Sequence, residues 1–284
     1  MLPVYGGSSI ESQIRSLRRG VQVIVATPGR LLDLIKRGVA HLENVHTVIL
    51  DEADEMLNMG FRDDIETILK EIPSEHQTAL FSATMPPAIL EITKTYLKED
   101  AKLIKVTKKE LTMPSIKQYY YEVRRDNKKE VVCRLLDYYN PKRTLIFTNT
   151  KRMAEELAEE LKGRGYFAEA LHGDLKQPQR DAVMKKFRNG TIEILVATDV
   201  AARGIDVKGI DMVFNYDLPQ DHEYYIHRIG RTGRAGKTGV AYTIASGRRQ
   251  VTELMEIAKY IADKYNYSLK VVDGSFDSIV AGIK

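Results

Sequence analysis

Thr144-Leu145-Ile146-Phe147-Thr148 decides the fold class, read with Arg152-Met153-Ala154-Glu155-Glu156-Leu157-Ala158-Glu159-Glu160-Leu161 a few residues later. The first run is near-continuously apolar, as a strand covered on both faces must be. In the second, Met153, Leu157 and Leu161 fall on one helical face. Glu155, Glu156, Glu159 and Glu160 point largely to water, and Gly163 follows as a C-terminal stop. A buried strand leading into an amphipathic helix is half of a βαβ unit. A succession of such units builds a parallel sheet.

The same alternation extends in both directions. Strand-like runs occupy residues 21–26, 47–50 and 78–81 before it, and 192–197, 212–214 and 240–244 after it. Residues 107–115 form a polar connector, and a second alternating block begins near Ile116. From Arg248 a helix is expected, with Leu254, Ile257, Ala258 and Ile261 on one face. The expected organisation is two α/β lobes in tandem: residues 1–106, the connector 107–115, a second lobe over 116–247, and a helical tail over 248–284.

Composition agrees. A chain of 284 residues suits two domains, and 43% hydrophobic with 29% charged residues is globular. No apolar run is long enough to span a bilayer, and Met1-Leu2-Pro3-Val4-Tyr5-Gly6-Gly7 has no charged-then-apolar signal pattern. A cytoplasmic protein is expected. The single cysteine, Cys133, sits in an apolar helical stretch and reads as a core thiol, with no Cys/His cluster for zinc. Residues 1–106 hold 12 Lys and Arg against 15 Asp and Glu, a net of −3; residues 107–284 hold 31 against 24, a net of +7. The second lobe is therefore the better candidate for contact with a polyanion.

In Val48-Ile49-Leu50-Asp51-Glu52-Ala53-Asp54 three carboxylates crowd the end of a strand. Like charges repel, and bound Mg²⁺ would relieve them. An acidic residue at a strand end holds Mg²⁺ in many NTPases. The alternative is a solvated helix start, where acids suit the helix dipole.

Asp51-Glu52-Ala53-Asp54 spells the motif that names the DEAD-box RNA helicases, and further segments resemble that family in its order. Tyr5-Gly6-Gly7 resembles the double-glycine element, Thr27-Pro28-Gly29-Arg30 motif Ib, and Ser82-Ala83-Thr84 motif III. Leu145-Ile146-Phe147-Thr148-Asn149-Thr150 resembles motif IV, and Gln177 with Arg180 matches a Q-x-x-R element. Ala197-Thr198-Asp199-Val200-Ala201-Ala202-Arg203-Gly204-Ile205-Asp206-Val207 resembles motif V, and His227-Arg228-Ile229-Gly230-Arg231-Thr232-Gly233-Arg234 motif VI.

The resemblance implies two RecA-like lobes with parallel sheets, the first incomplete, using ATP and Mg²⁺ to grip and release RNA. It implies that Asp51 holds Mg²⁺, through water, and that Glu52 orients the attacking water. Ser82 and Thr84 would hydrogen-bond to Asp54 and relay nucleotide state; the alternative is capping of the helix starting at Pro86-Pro87. Arg231 and Arg234 would be arginine fingers reaching from the second lobe to a γ-phosphate on the first, their planar forks suited to phosphate oxygens. The alternative is a surface charge cluster. Asp206, after Gly204, would accept from ribose hydroxyls, or else be a turn aspartate. Gly6, Gly7, Thr27, Gly29, Arg30, Gln177, Arg180, Thr198 and Arg203 would meet the RNA backbone, making binding sequence-independent and salt-sensitive. His227 would link motifs and not act as a base. A monomer is expected, and no protein partner is legible.

A P-loop reads G-x-x-x-x-G-K-[ST]. Gly236-Lys237-Thr238 supplies the only Gly-Lys-Thr, but Arg231 stands where the first glycine belongs and a strand-like run follows. This segment reads as a decoy, and the true loop is expected before residue 5, so no meaningful ATPase is expected of this chain alone. That leaves two further readings: a non-catalytic RNA-binding module, and a DNA translocase of the same superfamily. The Asp-Glu-Ala-Asp and Ser-Ala-Thr segments weigh against the latter.

Overall fold

The computed structural model describes residues 1–73, 75–105, 116–202, 205, 207–233, 238–265 and 271–273. The connector expected at 107–115 lies outside the described residues, as do Arg203, Gly204, Asp206, Arg234, Gly236 and Lys237. The chain divides into two compact units, Met1–Lys105 and Val106–Lys284.

The first unit runs β1 (Leu2–Val4), α1 (Ile10–Arg18), β2 (Ile24–Ala26), α2 (Pro28–Lys36), β3 (Thr47–Leu50), α3 (Ala53–Asn58), α4 (Arg62–Lys70), β4 (Gln77–Leu80) and α5 (Pro87–Tyr96). Its strands form two separate parallel pairs, β1 with β2 and β3 with β4. Val4, Leu34 and Ala40 are the buried centre of a small core with Ile10, Ile14, Ile24 and Leu31 packed against it. Ser9 caps α1 through its side chain, and prolines open α2 and α5.

The expectation that every strand is covered on both faces fails in this unit. Val25, Ile49 and Phe81 are 56%, 63% and 57% exposed. Each strand places alternate side chains on opposite faces, and a two-stranded sheet with helices on one side buries only one set. The run at 21–26 also yields a strand only over its last three residues.

The second unit runs β5 (Ile116–Val123), α6 (Lys128–Tyr139), β6 (Thr144–Thr148), α7 (Lys151–Gly163), β7 (Ala168–Leu171), α8 (Gln177–Asn189), β8 (Ile194–Thr198), α9 (Asp199–Ala202), β9 (Met212–Asn215), α10 (His222–Ile229), β10 (Gly239–Ser246), α11 (Gly247–Tyr265) and β11 (Val271–Asp273). One seven-stranded sheet, parallel throughout, follows the order β11-β5-β10-β9-β6-β8-β7. β6 and β8 are buried at all five positions each, as their unbroken apolar runs require. α6 and α7 cover one face through Val131, Val132, Leu135, Leu157 and Leu161. α8, α10 and α11 cover the other through Phe187, Tyr225, Ile229, Leu254, Ile257 and Ile261. Cys133 is buried in the first of these layers.

Helix α7 outruns its expected stop. It includes Gly163 and is capped at Arg164, while Gly165 takes the left-handed φ of 95°. Leaving a helix needs that positive φ, which glycine adopts without a Cβ penalty, so the second glycine is the stop. Among the described residues no helix is long and apolar enough to cross a membrane.

Candidate functional site

In the first unit the site lies at the carboxyl ends of β3 and β4. The β3–β4 ladder continues past the strands: Phe81 N–H donates to Leu50 O at 2.7 Å, and Ala53 N–H to Phe81 O at 3.1 Å. This backbone seam brings Asp51-Glu52-Ala53-Asp54 beside Ser82-Ala83-Thr84. Asp54 is buried, at 6% exposure. One carboxylate oxygen accepts from both the N–H and the hydroxyl of Thr84, each at 2.8 Å. The other accepts from Glu55 N–H at 3.1 Å. Ser82 Oγ accepts from Asp54 N–H at 3.3 Å and donates to Thr84 O at 2.6 Å.

Burial by itself raises the Asp54 pKa. The hydrogen bonds from Thr84 and Glu55, with the Ser82 hydroxyl close by, outweigh it and hold the carboxyl below its ordinary value. The crowding of three carboxylates is thus resolved by direction: Asp54 turns inward onto donors, and Asp51 and Glu52 stay exposed. Nor do Ser82 and Thr84 cap α5, whose N-cap is Pro86 with no side-chain cap bond.

Glu52 adopts φ 51° and ψ 46°, one of two non-glycine residues at positive φ among those described. A left-handed residue without glycine's freedom costs on the order of 1 kcal/mol and recurs at functional sites. Asp51 accepts from Glu52 N–H at 3.0 Å through one oxygen. Among the described residues no group of three His, Cys, Asp or Glu forms a metal cluster. A single exposed carboxylate fits Mg²⁺, which keeps most of its waters and takes one or two protein oxygens beside substrate phosphates.

The double-glycine loop and motif Ib also meet. Gly7 turns at φ 80°. Gln13, only 4% exposed on α1, donates Nε2 to Tyr5 O at 3.1 Å and accepts from Arg30 Nη1 at 3.0 Å. Arg30 Nη1 also reaches Ser8 O at 3.2 Å, so Arg30 braces the loop as well as presenting charge. Thr27 is the N-cap of α2 with no side-chain cap bond, and Gly29 follows inside the helix. Gln13 escaped the sequence reading. A glutamine on the apolar face shared by Ile10, Ile14 and Leu17 was the available signal.

In the second unit Arg228, 1% exposed, is the hub. It grips both oxygens of Asp199, donates Nη2 to Asn149 Oδ1 at 2.9 Å, and lies 5.1 Å over the Phe147 ring. The segments read as motifs IV, V and VI are joined through this one side chain. Arg228 and Asp199 were absent from the expected site residues. Opposite charges in two motifs were the signal, but a separation of 29 positions along the chain hid the pairing. Thr198, at the end of β8, pairs in register with Thr148 of β6. Gln177 opens α8 and donates to Asp181 at 2.9 Å, with Arg180 one turn on. Arg231 donates to Ile205 O at 3.1 Å. His227 is exposed at the end of α10.

Residues 1–92 match the DEAD/DEAH box helicase family, and residues 127–236 the helicase conserved C-terminal domain. A structure of S. cerevisiae Dbp5 bound to RNA and ADP BeF3 superposes with a TM-score of 0.83 at 32% identity, covering 99% of this chain and 71% of that one. The chain belongs to the DEAD-box RNA helicase family. CshA, the DEAD-box ATP-dependent RNA helicase of Geobacillus kaustophilus, is 57% identical over 87% of this chain. The Bacillus subtilis CshA is 54% identical over 88% of it. This family member spans about half the length of those curated relatives, 53% and 50%.

Proposed function

We propose that the chain works in an ATP-dependent RNA helicase that binds RNA by its backbone and couples ATP hydrolysis to local strand separation. The observation that carries this reading is the Asp54–Thr84 lock. It ties the acidic segment to Ser82-Ala83-Thr84 and leaves Asp51 and Glu52 exposed at a strand end.

In this reading Asp51 holds Mg²⁺ through water, and the bound ion supplies charge neutralisation at the terminal phosphates. Glu52 orients the attacking water. Arg231 and Arg234 contact the terminal phosphate; a fork of this kind is worth roughly 10³–10⁵ in rate. Gly204 and Asp206 accompany the nucleotide. Gly6, Gly7, Thr27, Gly29 and Arg30 in the first unit, with Gln177, Arg180, Thr198 and Arg203 in the second, contact RNA phosphates and sugars. Such contacts carry no base identity. A change of nucleotide state reaches Ser82 and Thr84 through Asp54, since any shift of the acidic segment moves three hydrogen bonds at once. Dbp5, which binds RNA and ADP BeF3 in one complex, supports the pairing of these ligands.

A second reading, an RNA-binding module without turnover, is favoured by the net +7 of residues 107–284. Phosphate release at saturating RNA separates the two, with a full-length relative as positive control. RNA-stimulated turnover abolished by Glu52→Gln supports helicase chemistry and overturns the expectation that this chain alone is inactive. Salt-dependent RNA binding that ATP does not alter, with no turnover, supports the module.

A further inference from the structure

A cleft of about 1040 Å³ opens in the second unit at the carboxyl ends of β5, β9 and β10, apart from every residue assigned above. In open parallel sheets ligands gather at this edge. Two long helices, α6 and α11, begin at residues that line it, Lys128 and Gly247, which puts two positive dipole ends beside the cleft.

Four cations line it against three carboxylates. The carboxylates are largely engaged. Glu253 pairs with Arg249 at 3.3 Å. Asp217 accepts from Asn149 N–H at 3.0 Å and stands 3.6 Å from the Lys128 ammonium. Glu122 stays exposed at the rim. Lys128 is 4% exposed and donates to Tyr216 O. Burial lowers its pKa, and the neighbouring Arg125 charge pushes the same way. Arg124 and Arg125 are exposed and form no ion pair among the described residues. Two unpaired guanidiniums and two helix starts together fit a phosphate.

Asp217 joins this cleft to Asn149 at the end of β6. β8 with Thr198 is the next strand along. From β8 to β5 is four strand spacings, or about 19 Å. We propose that the cleft is a phosphate subsite of the RNA path, taking the backbone of the strand beyond Asn149. This rests on the reading that the second unit binds RNA backbone.

The test titrates single-stranded RNAs, lengthened one nucleotide at a time, onto the 284-residue chain. Affinity should step up about tenfold when the strand reaches the cleft. The Arg124→Ala/Arg125→Ala double variant should lose that step and bind the shortest competent RNA unchanged. For the longest RNA its slope of log affinity against log salt should fall by about 1.4, for two phosphates at ~0.7 each. Arg124→Lys/Arg125→Lys should keep the slope. Both arginines are exposed, so melting should not change. Equal loss on short and long RNAs, or no step in the parent chain, overturns the proposal. So does competition by inorganic phosphate that is the same for every RNA length, which marks a small-anion site. Failure of all lengths to bind sinks the underlying RNA reading, a result distinct from these.

Discussion

Arg228 holds Asp199 through Nε at 2.6 Å and Nη2 at 2.7 Å, a two-pronged pair whose guanidinium is buried and whose carboxylate is half-buried. The same guanidinium bonds Asn149 and the carbonyl of Asp217, so one planar fork fixes the ends of β6, β8 and β9 together.

Removing Asp199 leaves a buried guanidinium without its carboxylate, and removing Arg228 leaves a half-buried carboxylate without its cation. Arg228→Ala and Asp199→Ala should each destabilise the second unit by about 3–5 kcal/mol. Arg228→Lys should not rescue, because an ammonium cannot reproduce the fork. Chemical denaturation followed by circular dichroism measures this, and near-wild-type stability of Arg228→Lys would refute the bidentate role.

The Asp54 lock predicts a pH dependence with a definite sign. Its folded pKa lies below the ordinary 3.8. The stability it contributes is therefore present above 3.8 and lost as pH falls through the lowered folded value. Thr84→Val removes the hydroxyl donor, which should raise the Asp54 pKa and cost about 1–2 kcal/mol. Carboxyl NMR titration of both chains gives the comparison; an unmoved Asp54 pKa in the variant argues against the lock.

Gly239 is required by space and not by backbone angle. A Cβ there would sit 2.3 Å from Thr232 Oγ1 and 2.5 Å from Gly233 N. Thr232 is itself tied to Ile210 O and Asp211 O, so it cannot retreat cheaply. Gly239→Ala should destabilise by about 1–3 kcal/mol or more and displace the segment carrying Arg231. Gly163→Ala, with nothing within 4 Å of the new carbon, is the control. It should be neutral or stabilise by roughly 0.4–1 kcal/mol.

In the proposed mechanism Glu52 trades stability for placement. Glu52→Gly should stabilise the first unit by about 1 kcal/mol by relieving the left-handed backbone, while any phosphate release should be lost with the carboxylate. Thermal melting and turnover, measured on the same preparation, decide whether the two effects separate.

Gln13→Leu keeps the helix and its apolar neighbours but cuts the bonds to Tyr5 and Arg30. RNA affinity should fall several-fold with little change in melting, because Arg30 keeps its bond to Ser8. Unchanged affinity would show that the double-glycine loop holds its shape unaided.

The unbroken apolar runs of β6 and β8, and the 3.6-residue stripe of α7, were legible because both are local properties. Burial on two faces demands continuous hydrophobicity, and an amphipathic helix demands its period. Asp54 and Thr84 were also legible, each standing in a short motif at a strand end. What sequence could not decide was direction and pairing. Three adjacent carboxylates read as one cluster. Only the fold, by setting Thr84 under Asp54, turns one inward and leaves two out. Arg228 with Asp199, and Gln13 with Arg30, are bonds between residues distant in the chain. Their geometry exists only once strands and helices have packed. The exposed faces of β2 and β3 have the same cause: hydrophobicity sets what a strand can bury, and the neighbouring elements set what it does bury.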